Sequence, residues 1–212
     1  MVIGILLIIL SYLLGSIPFG LIIGKIAGKD LRKNGSGNIG TTNAVRTLGW
    51  KLGMLSALCD ISKGAIVIII VYILEGAGIW YNPFIIGNDN LYAIYGLAAV
   101  IGHCFPIYLN FKGGKAVANS SGVLFTVVPW AGLAAIIGYV SILLITGFVS
   151  LSSTVAAILA VITTFIVYGF VCYNNIYTSI IILLLALLIF IKHIPNYKRL
   201  IAGTEYCFKK KK

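Results

Sequence analysis

Residues 2–24 read "VIGILLIILSYLLGSIPFGLIIG", without one charged side chain. A helix rises 1.5 Å per residue, so about 20 apolar residues cross a hydrocarbon core about 30 Å thick. Uncharged apolar stretches return at 64–74, 91–109 and 116–191. Of the 212 residues 60% are hydrophobic and only 10% charged, with a mean hydropathy of +1.05. Soluble domains carry about 25% charged residues. The pattern predicts an all-α, polytopic integral membrane protein forming a single domain over 1–212. The first run lacks a basic leader and a small-x-small cleavage pattern, so a retained first helix is expected rather than a removed signal peptide.

The positive charges predict the topology. Lys25, Lys29, Arg32, Lys33, Arg46, Lys51 and Lys63 form one basic region, Lys112 and Lys115 a second, and Lys192, Lys198, Arg199 and Lys209 to Lys212 a third. The polar breaks at 75–90, 128–130 and 168–175 hold no Lys or Arg. Cytoplasmic loops are enriched in these residues. Seven spans satisfy the rule, at about 2–24, 53–74, 84–107, 116–129, 130–147, 151–168 and 176–192, with the N-terminus outside and the C-terminus inside. The later spans are short and require tilt or local thinning. Five spans with two half-inserted segments are the alternative.

The net charge of +11 is spread along one membrane face, so it points to membrane lipids and not to nucleic acid. Cys59, Cys104, Cys172 and Cys207 form no C-x-x-C pair, and buried apolar roles are expected for them, with neither a metal nor a disulfide. No internal repeat is evident, which weighs against a transporter built from duplicated halves.

Three polar segments carry the candidate chemistry. The first is "NGSGNIGTTNAVRTLG", 34–49. It contains G-x-G-x-x-G, but it follows a membrane span and not a strand, so a dinucleotide site is rejected. Small residues Gly35 and Gly37 let backbone N–H groups converge, and a helix starting near Thr41 aims its positive end at an anion. Ser36, Asn38, Thr41 and Asn43 add donors, and Arg46 adds a fork matched to phosphate oxygens.

The second segment is "GHCFPIYLNFKGGKAVANSSG", 102–122. A P-loop fails because Leu109 stands where its first glycine belongs and Ala116 follows Lys115. Gly113, Gly114 and Lys115 still form a candidate anion cradle. His103 is expected to be a structural histidine bonded to a neighbouring carbonyl.

The third is "KHIPNYKRLIAGTE", 192–205. His193 and Asn196 share a face if the helix continues, whereas Pro195 could instead open a new helix. His193 is a candidate base near neutral pH, or an interfacial hydrogen-bonding group. Glu205 is expected to pair with a loop Arg or Lys and hold the tail. Asp60 and Lys63 are read as a structural pair bordering the site, since each charge is costly alone in a membrane.

These landmarks, with "GSIPFG", "CDISKG" and "VSLSS", resemble the bacterial acyl-phosphate:glycerol-3-phosphate acyltransferases of the PlsY family over nearly the whole chain. The resemblance implies a seven-helix fold in the bacterial plasma membrane with a cytoplasmic site. It implies transfer of a fatty acyl group from acyl phosphate to the 1-hydroxyl of sn-glycerol 3-phosphate, giving lysophosphatidic acid and phosphate. Carried onto this sequence, the motifs supply Ser36, Asn38, Asn43 and Arg46, then Gly113, Gly114 and Lys115, then His193, Asn196 and a structural Glu205. A family serine corresponds to Ser150 or Ser153.

Expected catalytic roles fall on Ser36, Lys115, His193 and Asn196, in direct transfer from an already activated anhydride without an acyl-enzyme. No cofactor is expected, and a monomer is. The chain has no H-x-x-x-x-D, which argues against donors such as acyl-CoA. A transporter of phosphate or a phosphate ester is the alternative of a different class, and it would need polar groups through the midplane.

Overall fold

The computed structural model describes residues 1–86, 89–171 and 176–208. Cys172 and the four C-terminal lysines lie outside the described residues. The chain folds into helices α1 (Val2–Ser16), α2 (Phe19–Ile26), α3 (Thr41–Leu48), α4 (Trp50–Gly76), α5 (Ala93–Cys104), α6 (Val117–Val127), α7 (Pro129–Thr146), α8 (Val149–Ile166) and α9 (Ile176–Ile201). Among the described residues the only strands are β1 (Ile85–Ile86) and β2 (Asp89–Asn90), an antiparallel pair with Ile85 opposite Asn90.

Five helical stretches are long and apolar enough to cross a membrane: Val2–Ile26, Trp50–Gly76, Pro129–Thr146, Val149–Gly169 and Ile176–Ile201. Two shorter apolar ones are Ala93–Leu109 and Val117–Val127. The span expected at 84–107 starts late: Ile85–Ile86 pairs with Asp89–Asn90, and the α-helix covers only Ala93–Cys104. The last helix extends nine residues past its expected end at 192, straight through Pro195.

The first span breaks at Pro18, which has no N–H to donate and forces Ile17 into an extended conformation (φ −64°, ψ 118°). The Ile17 carbonyl freed by this break accepts a hydrogen bond from Lys63 Nζ at 2.8 Å. Lys63 in turn pairs with Asp60 at 2.9 Å, and both are nearly inaccessible. The sequence thus turns a helix fault into the third partner of a buried ion pair.

Between membrane helices lipid is as apolar as a side chain, so close packing of small residues drives association. Gly15 of α1 lies on the Ala99 carbonyl of α5, and Gly102 of α5 lies on the Tyr12 carbonyl of α1. Gly64 of α4 and Gly122 of α6 make the reciprocal contacts with Asn119 and Ile61. A methyl group at any of these glycines would push the helix pairs apart. Ile68, Val71, Tyr95, Val123 and Ile182 fill the space between the pairs.

Candidate active site at one end of the helix bundle

The loop before α3 is wound around one side chain. Asn43 is 1% exposed. Its Nδ2 donates to the carbonyls of Leu31, Asn34 and Asn38 at 2.8–3.0 Å, and its Oδ1 accepts from the Ser36 N–H at 2.9 Å. Gly35 and Gly37 adopt φ +63° and +72°, the left-handed region that other residues enter at a cost. A Cβ on Gly35 would strike the Asn43 amide. The amide of Asn43 is therefore committed to shaping the loop, and Gly35 and Gly37 shape it too without lining the cavity below.

The shaped loop delivers α3, whose first two N–H groups, of Thr41 and Thr42, have no intrahelical acceptor, while that of Asn43 reaches the Gly40 carbonyl. Among the described residues the Thr41 hydroxyl and Arg46 Nε, both buried there, have no hydrogen-bond partner. Buried polar groups are normally satisfied, so both call for an acceptor from outside the chain. The Arg46 guanidinium carbon sits 3.7 Å from the centre of the Tyr206 ring.

Opposite α3, a polar chain joins three segments. Lys115 Nζ donates to Asn196 Oδ1. Asn196 Nδ2 donates to Glu205 Oε1 at 2.6 Å, and Arg199 Nε donates to Glu205 Oε2 at 2.8 Å. Burial opposes ionisation of Glu205, but the bonds from Asn196 and Arg199 outweigh it and hold its carboxyl below the usual range. Burial pushes the Lys115 ammonium down to about 8; the charge of Arg199 and, more weakly, Arg46 add to this, and Glu205 opposes it. Glu205 pairs with Arg199 of α9, a helix residue and not a loop cation.

His193 is 3% exposed on α9, one turn before Asn196. Its Nδ1 lies 2.8 Å from the Ile189 carbonyl. A carbonyl only accepts, so Nδ1 carries the proton, and in the neutral ring Nε2 is an acceptor. Because α9 continues through Pro195, His193, Asn196 and Arg199 follow one another at three-residue spacing on the same face.

Gly113 and Gly114 do not line the cavity. Gly114 donates its N–H to the His103 carbonyl at 3.0 Å, and its missing side chain makes room for the His103 ring. Their place is beneath the cradle, where they seat Lys115. His103 departs from its expected carbonyl partner: its Nδ1 faces Asp60 Oδ1 at 3.7 Å.

Twelve of the expected residues meet at one cavity of about 520 Å³: Ser36, Asn38, Thr41, Asn43, Arg46, Asp60, Lys115, Ser150, Ser153, His193, Asn196 and Glu205. Lys63 lies behind Asp60 and outside the lining. Ser150 and Ser153 both reach the cavity, and the Ser153 hydroxyl donates to the Val149 carbonyl at 2.9 Å. Away from these polar residues the lining turns apolar, with Leu124, Ala135, Ile136, Ala157, Leu185 and Ile189. Arg199 and Tyr206 also line it. The three-residue step from Asn196 could have found Arg199, whereas nothing in the local sequence ties Tyr206 to Arg46. Among the described residues no three His, Cys, Asp or Glu side chains gather to hold a metal.

Fold and site together define a multi-pass helical membrane protein with a cation-rich cavity that continues into an apolar arm. The sequence profile of the family described as glycerol-3-phosphate acyltransferase matches residues 5–203. Glycerol-3-phosphate acyltransferase of Macrococcus caseolyticus is 44% identical over 203 residues, covering 94% of each chain. The enzyme of the same name from Bacillus subtilis is 43% identical over 201 residues, covering 94% of this chain and 95% of its own. The crystal structure of PlsY (YgiH), an integral membrane glycerol 3-phosphate acyltransferase, in its glycerol 3-phosphate form superposes with a TM-score of 0.84 at 37% identity, covering 97% of this chain and 96% of that one. Its lysophosphatidic acid form gives 0.82 at 36%, covering 97% and 95%. This chain belongs to the PlsY family of membrane glycerol-3-phosphate acyltransferases, enzymes of phospholipid synthesis.

Proposed function

We propose that this chain transfers a fatty acyl group from acyl phosphate to the 1-hydroxyl of sn-glycerol 3-phosphate. One observation carries the reading: a single cavity joins Arg46, Lys115 and unpartnered donors to an apolar arm. That combination fits two phosphate groups and one hydrocarbon chain, and among the described residues no cysteine lines it.

The reaction needs no acyl-enzyme, because the donor is already an activated anhydride. Lys115, Arg46 and Ser36 bind the phosphate groups. His193 and Asn196 orient the glycerol so that its hydroxyl meets the acyl carbonyl, a gain from proximity and fixed charge. The hydroxyl oxygen bonds to the acyl carbon, the bond from that carbon to the phosphate oxygen breaks, and the hydroxyl proton passes to the departing phosphate. Lysophosphatidic acid and inorganic phosphate result.

The membrane arrangement follows the charge pattern. Seven crossings of the bacterial plasma membrane, including the two shorter apolar helices, put the cavity mouth on the cytoplasmic side with the N-terminus outside. One chain supplies the whole site, so a monomer suffices. The test is phosphate release from palmitoyl phosphate by the purified protein, with and without glycerol 3-phosphate. Release dependent on glycerol 3-phosphate, with lysophosphatidic acid formed in equal amount, is the expected result. A folded sample that releases none, and instead moves phosphate into proteoliposomes, overturns the reading.

A further inference from the structure

We infer that Tyr206 is a positioning residue for Arg46, and that the segment after the last helix is a strap completing the phosphate site. The inference rests on the reading that Arg46 binds a substrate phosphate. The segment starts at Gly203, which takes φ +68° just beyond α9 and turns the chain back. Two ties to other elements and one contact within the segment then fix it. Glu205 is bonded by Asn196 and Arg199. The Phe208 N–H donates to the Gly147 carbonyl, between α7 and α8, at 2.9 Å. The Tyr206 and Phe208 rings meet edge to face, with centres 5.1 Å apart at 87°.

Held this way, the Tyr206 ring covers one face of the Arg46 guanidinium at 3.7 Å. A cation over a ring face is attracted by the ring's quadrupole. An arginine side chain otherwise has several rotatable bonds to lose on binding, at a cost in entropy. With one face seated on Tyr206, the edge with the unpartnered Nε is left for an oxyanion. Tyr206 touches no reacting atom in this scheme, so its effect falls on phosphate affinity and not on the chemical step. Glu205 and Tyr206 are adjacent, so one short strap orders both walls of the site: Asn196 with Lys115 on one side, Arg46 on the other.

The test replaces Tyr206 by Phe and then by phenylalanines with one, two and three ring fluorines, which weaken the quadrupole with little change in shape. KM for glycerol 3-phosphate and for palmitoyl phosphate, and kcat, are measured for each. The expected result is a steady rise in one KM, reaching roughly 3- to 10-fold, with kcat within about twofold. In an Arg46→Lys background the slope with fluorination changes, because the planar stack is lost. Equal KM values across the series, or the same slope in both backgrounds, overturn the inference. Protection of the same proteins from heat by inorganic phosphate reads the contact without turnover. If transfer itself is absent, graded loss of protection still upholds the Tyr206–Arg46 coupling, and ungraded protection overturns it.

Discussion

Lys115 and Asn196 are 81 residues apart in sequence, yet the ammonium of one donates directly to the amide oxygen of the other. The bond joins the approach to α6 to the end of α9, and Glu205 closes it from the far side. A positive charge, a neutral amide and an acid thereby stand in one line at the cavity wall.

The Lys115 ammonium is held at about 8, far below its ordinary 10.5. It is charged below that pH and neutral above it, so the phosphate affinity proposed for it should fall as pH rises through about 8. The slope of log kcat/KM for the free enzyme should turn downward there. Lys115→Arg, which keeps its charge, should remove that downturn even while lowering the plateau, because its fork does not fit a point-charge seat. A profile with the same downturn in both proteins would assign it to another group.

Glu205 is the opposite case. Its carboxyl is held below the ordinary value, so its contribution to stability is present above the unfolded pKa and fades as pH falls through the folded one. Glu205→Gln should lower the unfolding temperature in detergent near pH 7, by the equivalent of about 1 kcal/mol for a partly exposed network. The gap between the two proteins should close on acidification below pH 4.5. A gap that stays constant with pH would mean that shape, not charge, holds the tail.

Much of this architecture was legible beforehand, for physical reasons. Uncharged runs of membrane length mark helices because lipid offers the backbone no other partner. The break at Val128-Pro129 and the helix start at Thr41 follow from proline and glycine chemistry, and both are present. What was hidden depends on tertiary contact. The span expected at 84–107 does not begin at 84, because the Asn82 N–H is bonded to Glu75 and Ile85–Ile86 pairs with Asp89–Asn90. Pro195 reads as a possible helix start, yet α9 passes through it, and Asn196 and Arg199 just beyond it are both bonded to Glu205 in the following segment. Tyr206 carries no sequence signal at all, since its partner is 160 residues away.

Gly114 tests the seat beneath Lys115. A Cβ there meets the far edge of the His103 ring, whereas one on Gly113 meets the His103 and Cys104 carbonyls. Gly114→Ala and Gly113→Ala should each cost about 1–3 kcal/mol, the usual range for overpacking. Adding His103→Ala should recover part of the loss for Gly114→Ala and none for Gly113→Ala, because truncating a side chain leaves the carbonyls in place. Thermal unfolding in detergent measures all four proteins, and equal recovery at both glycines contradicts this packing.

The Asp60–Lys63 pair should be stricter. Both groups are buried, and Lys63 is also committed to the Ile17 carbonyl. Removing one partner leaves a lone charge at a cost of about 3–5 kcal/mol. Asp60→Asn and Lys63→Met are each expected to unfold early, with Asp60→Asn combined with Lys63→Met recovering part of the loss. Additive losses in the double variant would show that the two charges do not depend on each other.

His193 separates two versions of the chemistry. Its Nδ1 proton is spent on the Ile189 carbonyl, so Nε2 is the nitrogen left to accept from a glycerol hydroxyl. Acceptance can be orientation alone, with the leaving phosphate taking the proton, or it can be general-base catalysis. Glutamine keeps a hydrogen-bonding amide at that place but is no base at neutral pH. If orientation is the role, His193→Gln raises KM for glycerol 3-phosphate and keeps kcat within about tenfold. If the imidazole takes the proton, kcat falls by about 10²–10⁴-fold, the range typical of a positioned base. Direct transfer with phosphate as the acceptor predicts the first outcome, and steady-state kinetics of the one variant, at saturating palmitoyl phosphate, decides between them.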